Sequence, residues 1–160
     1  MAESVRIADQ LRRAFDGAAW HGDSLFEILK GVTAAGAAAH PVANVHSIWE
    51  LVLHIAAWDG VVRRRMTGVA AKMSPAKNFP PVTDTSEAAW AKALEHLRQV
   101  HQELIGAVEK FPEKSLTKQV PGKKGAHYNF YYMLQGVVQH ELYHAGQIAL
   151  LKKAVEPIRS

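Results

Sequence analysis

Two histidines that stand four residues apart near the end of this 160-residue chain could bind a metal ion. His140 and His144 lie in the stretch QHELYHAGQ, and a spacing of four places two side chains on one face of an α-helix. Apolar residues recur at helical spacing on the same face, namely Phe130, Met133, Val137, Ile148 and Leu151. Imidazoles on a core-facing stripe are costly unless their nitrogens are satisfied. A bound metal ion would satisfy them, so we interpret the pair as part of a metal site.

The residues HELYH at 140–144 also match the H-E-x-x-H pattern of zinc peptidases, in which the glutamate is the general base. The metzincin continuation requires glycine and histidine where this chain has Gln147 and Leu150, and Glu156 is the only acidic residue further downstream. We therefore disfavour a zinc peptidase. Glu141 is kept as a candidate catalytic residue, as a general base or as a partner of a ligand, against the alternative of a solvated position on the helix surface.

A third ligand must come from upstream, and it cannot be a thiolate because the chain has no cysteine. His54 borders the apolar face of a predicted helix, so one histidine there and two on the last helix could form a three-histidine site with open positions for water. His101 also falls on an apolar stripe and is its rival. His46 stands just before a helix start, where we expect a local role. His21, beside Trp20 in a loop, could line a pocket or belong to a turn.

The elements that position these residues are predicted to be helices. A first helix covers about Ser4 to Phe15, and a last helix runs from a cap at Asn129 to Glu156, because Pro157 follows. No strand-like alternation of useful length occurs, so we predict an all-α fold, a four-helix bundle with an additional short helix, in a single domain over residues 1–160. Capping boxes predict three further helix starts, at Ser24 with Glu27, Ser47 with Glu50, and Asp84 with Glu87.

Composition narrows the classes of protein that the chain can belong to. An apolar share of 48% is ordinary for a folded protein, and the formal charge of +4 comes from scattered basic residues, so we expect no nucleic-acid partner. No segment approaches the roughly 20 apolar residues that cross a bilayer, and the first residues do not resemble a signal peptide. We therefore expect a soluble cytoplasmic protein without a membrane partner.

Three consecutive arginines, Arg63, Arg64 and Arg65, end the second main helix and could bind an anion. Consecutive residues spread over about 200° of a helix, so the three cannot all face one ligand. Cations near a helix C-terminus are also favoured by the helix dipole without any ligand. Trp49 and Trp58 are assigned to core packing rather than to substrate stacking.

The stretches WELVLHIAAW at 49–58 and HELYHAGQI at 140–148 together resemble the DinB-like family, which includes the YfiT-type metal-dependent hydrolases. The resemblance extends over essentially the whole chain. It implies an up-up-down-down four-helix bundle that holds a divalent metal ion on three histidines. Carried onto the matching positions of this chain, the metal ligands are His54, His140 and His144, which places His54 ahead of His101. Zinc, nickel and iron all suit such a ligand set.

The resemblance also implies a range of functions. Relatives with this bundle include transferases that join low-molecular-weight thiols to electrophiles, and a metal suits both thiol transfer and hydrolysis because it can hold a thiolate or activate water. We therefore expect a metal-dependent enzyme that acts on a small molecule, either a hydrolase or a thiol S-transferase with a low-molecular-weight thiol as partner. The alternative is a non-catalytic metal-binding or interaction bundle. A homodimer is compatible with spare apolar helix surface, although no residue requires one.

Overall fold

The computed structural model describes residues 1–125 and 127–155, and these residues confirm the all-α prediction. Their only β pairing is an isolated antiparallel bridge between Gln119 and Asn129. None of the helices in the described ranges is both long and apolar enough to cross a membrane. The α-helices are α1 (Glu3–Asp16), α2 (Leu25–Leu29), α3 (Ala34–Ala38), α4 (Ile48–Met66), α5 (Pro75–Asn78), α6 (Glu87–Glu109) and α7 (Phe130–Val155).

Four long helices, α1, α4, α6 and α7, pack around two apolar clusters. Helix α4 packs against α6 and α7, and α1 packs against the same two helices. One cluster, which includes Trp49 and Leu97, fills the end of the bundle beneath α2 and α3. The other, which includes Leu11 and Leu134, fills the opposite end. Helices α2 and α3 close the first end, where α2 packs on α7 and α3 on α4.

The directions of the long helices correct the expected order. Trp49 packs on Trp90 and Asp59 contacts His101, so α4 and α6 are parallel. Helices α1 and α6 are antiparallel, because Asp16 pairs with Arg98 while Arg12 pairs with Glu109. Helices α4 and α7 are also antiparallel, since His54 meets His140 while Arg65 and Tyr128 line the same cleft further along.

The chain therefore runs up, down, down and up through α1, α4, α6 and α7, rather than in the up-up-down-down order. The physical reason lies in the link between α4 and α6. This link, residues 67–86, is long enough to run back along α4, which spans roughly 28 Å over its 19 residues. Helix α6 therefore starts beside the start of α4.

Capping confirms two predicted helix starts and corrects the third. Ser24 caps α2 with the predicted box, in which its N–H donates to Glu27 Oε2 at 2.8 Å. Ser47 caps α4 with the predicted box: its N–H donates to Glu50 Oε2 at 2.8 Å, and Glu50 N–H donates back to Ser47 Oγ at 3.2 Å. The box predicted at Asp84 was wrong, because Ser86 is the cap of α6. Asp84 instead accepts a hydrogen bond from Ser86 N–H, and the Glu87 carboxylate accepts one from the first turn of α3.

Two short helices, α3 and α5, were not predicted. Of the two predicted ends of α7, only the first lies within the described residues. Thr33 caps α3 by accepting a hydrogen bond from Gly36 N–H, and α5 begins at Pro75, a residue suited to the first position of a helix. Asn129 caps α7 as predicted, since its side chain accepts from Tyr132 N–H at 2.9 Å. The predicted end of this helix at Glu156 lies outside the described residues.

Candidate metal site

The Nε2 atoms of His54, His140 and His144 converge where α4 meets α7. His140 Nε2 lies 3.0 Å from His54 Nε2 and 3.1 Å from His144 Nε2. Two nitrogens bound to the same ion at about 2.1 Å lie about 3.0–3.4 Å apart. The spacing therefore fits one ion, and these three residues could hold a metal. The structure thus brings together all three predicted ligands.

The other ring nitrogens of two of these histidines are fixed by hydrogen bonds. His54 Nδ1 donates to the backbone carbonyl of Asn78 at 2.7 Å, and His144 Nδ1 donates to Gln147 Oε1 at 2.6 Å. Each Nε2 is then left with a lone pair that faces the other imidazoles. His140 Nδ1 is buried and has no hydrogen-bond partner within the described ranges. One proton on His140 could satisfy only one of the converging lone pairs, whereas a cation satisfies all three.

The electrostatic surroundings keep these imidazoles neutral. Burial lowers the pKa of His54 and of His144. Burial also lowers the pKa of His140, and the neighbouring His144 and His54 lower it further, to about 3. A neutral imidazole is the form that binds a metal ion, so the three residues are available as ligands near neutral pH.

A proline-rich loop holds the His54 ring in place. Phe79, which directly follows α5, stacks on His54 at 4.2 Å on one side and on His46 at 3.6 Å on the other. Asn78 binds His54 through its carbonyl and Trp58 Nε1 through its side chain, at 2.9 Å. His46 also has the local contact expected at a helix start, since its Nδ1 lies 3.3 Å from Glu50 Oε2. Sequence reasoning missed Asn78 and Phe79, and the proline that starts α5 was the only signal pointing to structure there.

The three imidazoles open into a cleft of about 830 Å³, which we call the main cleft. Trp58 is half-buried and lines it, so the assignment of Trp58 to the core was wrong, whereas Trp49 is buried against Trp90 as predicted. The cleft is open to solvent, and the side chains at its rim are exposed, namely those of Tyr131, Tyr132 and Tyr143.

Glu141 does not belong to this cleft. Its side chain is buried in the bundle, and Glu141 Oε1 lies 2.7 Å from His101 Nδ1. The same His101 nitrogen lies 2.9 Å from Asp59 Oδ2, so His101 belongs to a separate buried cluster rather than to the histidine site. The solvated position considered for Glu141 was wrong. Its placement also gives no support to a role as general base in the main cleft.

The three arginines take different positions, as their helical spacing requires. Arg63 forms an ion pair with Glu103 at 2.9 Å, and Arg64 is exposed. Arg65 is buried and lines the main cleft. His21 and Trp20 line a different cavity, formed with residues of α1 and α7. Of the three arginines, only Arg65 therefore shares the cleft of the histidines.

The three imidazole nitrogens converge on the wall of an open cleft, so the chain is a helical-bundle protein that could hold a metal ion. Comparison with known families identifies the family. The sequence profile of the DinB superfamily matches residues 18–148, and the chain belongs to this superfamily. No match was found among curated proteins or among solved structures.

Proposed function

We propose that the protein binds one divalent metal ion through His54, His140 and His144 and acts on a small molecule as a metal-dependent enzyme. The observation that carries the proposal is the convergence of three neutral imidazole nitrogens, 3.0 and 3.1 Å apart in two of the pairs, on the wall of the main cleft. Zinc, nickel and iron fit this donor set. Membership of the DinB superfamily supports the same function.

A bound ion and the side chains of the cleft would contribute different parts of the chemistry. A bound ion would act as a Lewis acid that activates water or holds a thiolate. The chain supplies the orientation: the carbonyl of Asn78 and the amide of Gln147 fix two ligand rings. Three protein ligands leave coordination positions free, and the half-buried ring of Trp58 offers an apolar surface for a substrate.

Two reactions fit this arrangement, hydrolysis and transfer of a thiol to an electrophile. No Asp or Glu from the described ranges lines the main cleft, so a peptidase mechanism with glutamate as general base has no support. A thiol needs less help from a base than water does, because its own pKa is much lower and a cation lowers it further. Because the described residues that line the cleft include no carboxylate that could act as a general base, the cleft favours thiol S-transfer. The hydrolase alternative relies on water activated by the metal ion.

A non-catalytic bundle is the competing function. Structural zinc sites are normally closed by four protein ligands, whereas catalytic sites keep a position open. The exposed tyrosines at the rim of the cleft, among them Tyr132 and Tyr143, leave the histidines accessible to small molecules. The accessibility of the site favours an enzyme over a purely structural metal site.

Metal content tests the proposal directly. Protein purified without a histidine tag should contain about one ion per chain, measured by inductively coupled plasma mass spectrometry. His144→Ala should contain almost none. His96→Ala is the matched control, because His96 is an exposed histidine on α6 and should leave the metal content unchanged. Equal metal content in wild type and His144→Ala would contradict the proposal.

The reaction is tested with metal-loaded protein. One panel combines several low-molecular-weight thiols with an electrophile, and a second contains esters and amides without thiol. Turnover that depends on thiol and is lost in His144→Ala supports S-transfer. Turnover only in the second panel supports the hydrolase, and turnover in neither favours the non-catalytic bundle.

A further inference from the structure

Arg65 is a buried cation at the wall of the main cleft. Its side chain is 2% exposed, and its Nε donates to the carbonyl of Ala71 at 2.9 Å. The guanidinium carbon lies 5.6 Å from the centre of the Trp58 ring. No carboxylate within residues 1–125 and 127–155 forms an ion pair with it, whereas Arg63 nearby pairs with Glu103. Because a buried charge is costly unless it is paired, an anion bound at Arg65 would be favourable.

A second cleft adjoins the first at this arginine. It has a volume of about 540 Å³, and we call it the side cleft. Arg65 and Trp58 line both clefts, and Lys72 and Lys123 line the side cleft. In the described part of the chain neither cleft is lined by an Asp or a Glu. Every charged side chain that the described residues contribute to the two clefts is therefore basic.

Lys123 is close enough to Arg65 for the two cations to repel each other. Burial lowers the pKa of Lys123, and the charge of Arg65 lowers it further. Lys123 Nζ also lies 5.1 Å from the centre of the Tyr128 ring, which lines the main cleft. An anion placed between the two cations would remove this repulsion and satisfy the free donors of the guanidinium.

The ring of Trp58 would separate the anion from the histidines. The Trp58 ring centre is 5.6 Å from the Arg65 guanidinium carbon and 6.0 Å from the His140 ring centre. Val62, on the same face of α4, lines the wall between them. A molecule with an anionic end at Arg65 and an apolar or aromatic body along this wall would therefore place its other end at the histidines.

We propose that the substrate of the histidine site is an organic oxyanion, a carboxylate or a phosphate, whose charged group is bound by Arg65 and whose apolar body lies against Trp58. The inference rests on the proposed function, because it names the substrate class of the same site. Arg65 supplies the fork of donors that a carboxylate or phosphate accepts. Arg63 is occupied by Glu103 and Arg64 is exposed, so neither contributes.

Binding of a matched pair of probes tests the inference. The probes are 3-phenylpropionate and its neutral amide, titrated by isothermal calorimetry into the full chain with and without added zinc, with inorganic phosphate as a competitor. We expect the carboxylate to bind about 10- to 100-fold more tightly than the amide, as for loss of a charge-assisted hydrogen bond. Arg65→Gln should remove this preference, Arg65→Lys should retain part of it, and Arg64→Gln should bind as the wild type does.

The failure of this inference can be told apart from the failure of the proposed function. If the wild type binds the two probes equally while the metal content is normal, the anion site is wrong and the metal site is not. If the carboxylate preference depends on Arg65 but the wild type holds no metal, the proposed function is wrong and the anion site is retained. Competition by phosphate supports a shared oxyanion site, and a preference unchanged in Arg65→Gln overturns the assignment. If Arg65→Gln does not fold, the assignment is tested by the carboxylate preference of the wild type and by its partial loss in Arg65→Lys.

Discussion

Glu141 Oε1 lies 2.7 Å from His101 Nδ1 inside the bundle, although the preceding residue, His140, reaches the main cleft. Asp59 Oδ2 lies 2.9 Å from the same nitrogen. One N–H cannot satisfy two carboxylates, and Asp59 Oδ1 and both Glu141 oxygens have no hydrogen-bond partner within the described ranges. His101 Nε2 faces the backbone carbonyl of Leu11 at 3.4 Å. With acceptors around both of its nitrogens, His101 should stay protonated.

The protonated state of His101 predicts how stability depends on pH. Burial alone would lower its pKa, but the carboxylates of Glu141 and Asp59 outweigh burial and raise the pKa from 6.5 to about 10. A raised pKa in the folded state stabilises the protein fully below the unfolded value of about 6.5. This stabilisation is lost as the pH rises towards 10, by at most about 1.4 kcal/mol per pH unit. Urea unfolding at several pH values across this window measures the slope.

Two histidine variants isolate this effect. His101→Gln should show a smaller loss of stability than the wild type between pH 6.5 and 10. His96→Gln, on the exposed face of the same helix, should keep the wild-type slope. Parallel curves for wild type and His101→Gln would contradict the prediction. If His101→Gln does not fold, the wild-type imidazole can be followed by NMR, where it should not titrate between pH 5 and 8.5.

The histidine site was largely predictable because its signal is local. The spacing of His140 and His144 on an apolar stripe indicates a paired role without any tertiary information. The same reasoning left His54 and His101 as rivals, because both lie on apolar stripes. What separates them is the neighbour that each helix face meets: His54 faces α7 at the cleft, whereas His101 faces Asp59 and Glu141 in the core. Helical periodicity does not contain that information.

The parts that could not be predicted depend on packing between distant segments. Ser86 and Asp84 are both good capping residues two positions apart, and contacts made by the start of α6, such as Trp90 Nε1 to the carbonyl of Val32, are long-range. The direction of each helix in the bundle is likewise invisible to periodicity. Asn78, the last residue of the short helix α5, supports the site through its backbone carbonyl, a group that every residue has.

Removing the amide of Gln147 should weaken metal binding without removing a ligand. Gln147 Oε1 accepts a hydrogen bond from His144 Nδ1 at 2.6 Å, and it thereby fixes the tautomer and orientation of that ring. We expect Gln147→Ala to lower zinc affinity about 10- to 100-fold, the usual cost of losing such a partner. Competition with a chromophoric chelator measures the dissociation constant.

The control for this prediction lies two turns earlier on the same helix. Gln139 is exposed, and although it lines the main cleft, it makes no hydrogen bond to the three histidines. Gln139→Ala should therefore leave the zinc affinity within about twofold of the wild type. An equally small effect of Gln147→Ala would show that His144 keeps its orientation without the amide, and the proposed support would be wrong.

Two glycines should respond in opposite ways to replacement by alanine. Gly146 is an exposed residue inside α7, and a Cβ added there meets nothing within 4 Å. Gly146→Ala should raise the free energy of unfolding by about 0.5–1 kcal/mol, because alanine is the better helix former. Gly122 has a φ of +74°, and an added Cβ would lie 2.9 Å from the Cβ of Ala70. Gly122→Ala should therefore be destabilising, by about 1–3 kcal/mol.

Urea unfolding of both variants at a fixed pH measures these effects, with metal content as a check that the histidine site is intact. The Gly146 result also bears on self-association. A gain in stability that does not change with protein concentration is expected if this face of α7 is in contact with solvent. A loss of stability in Gly146→Ala would contradict the prediction, and a loss that shrinks on dilution would indicate instead that this face packs against a second copy of the chain.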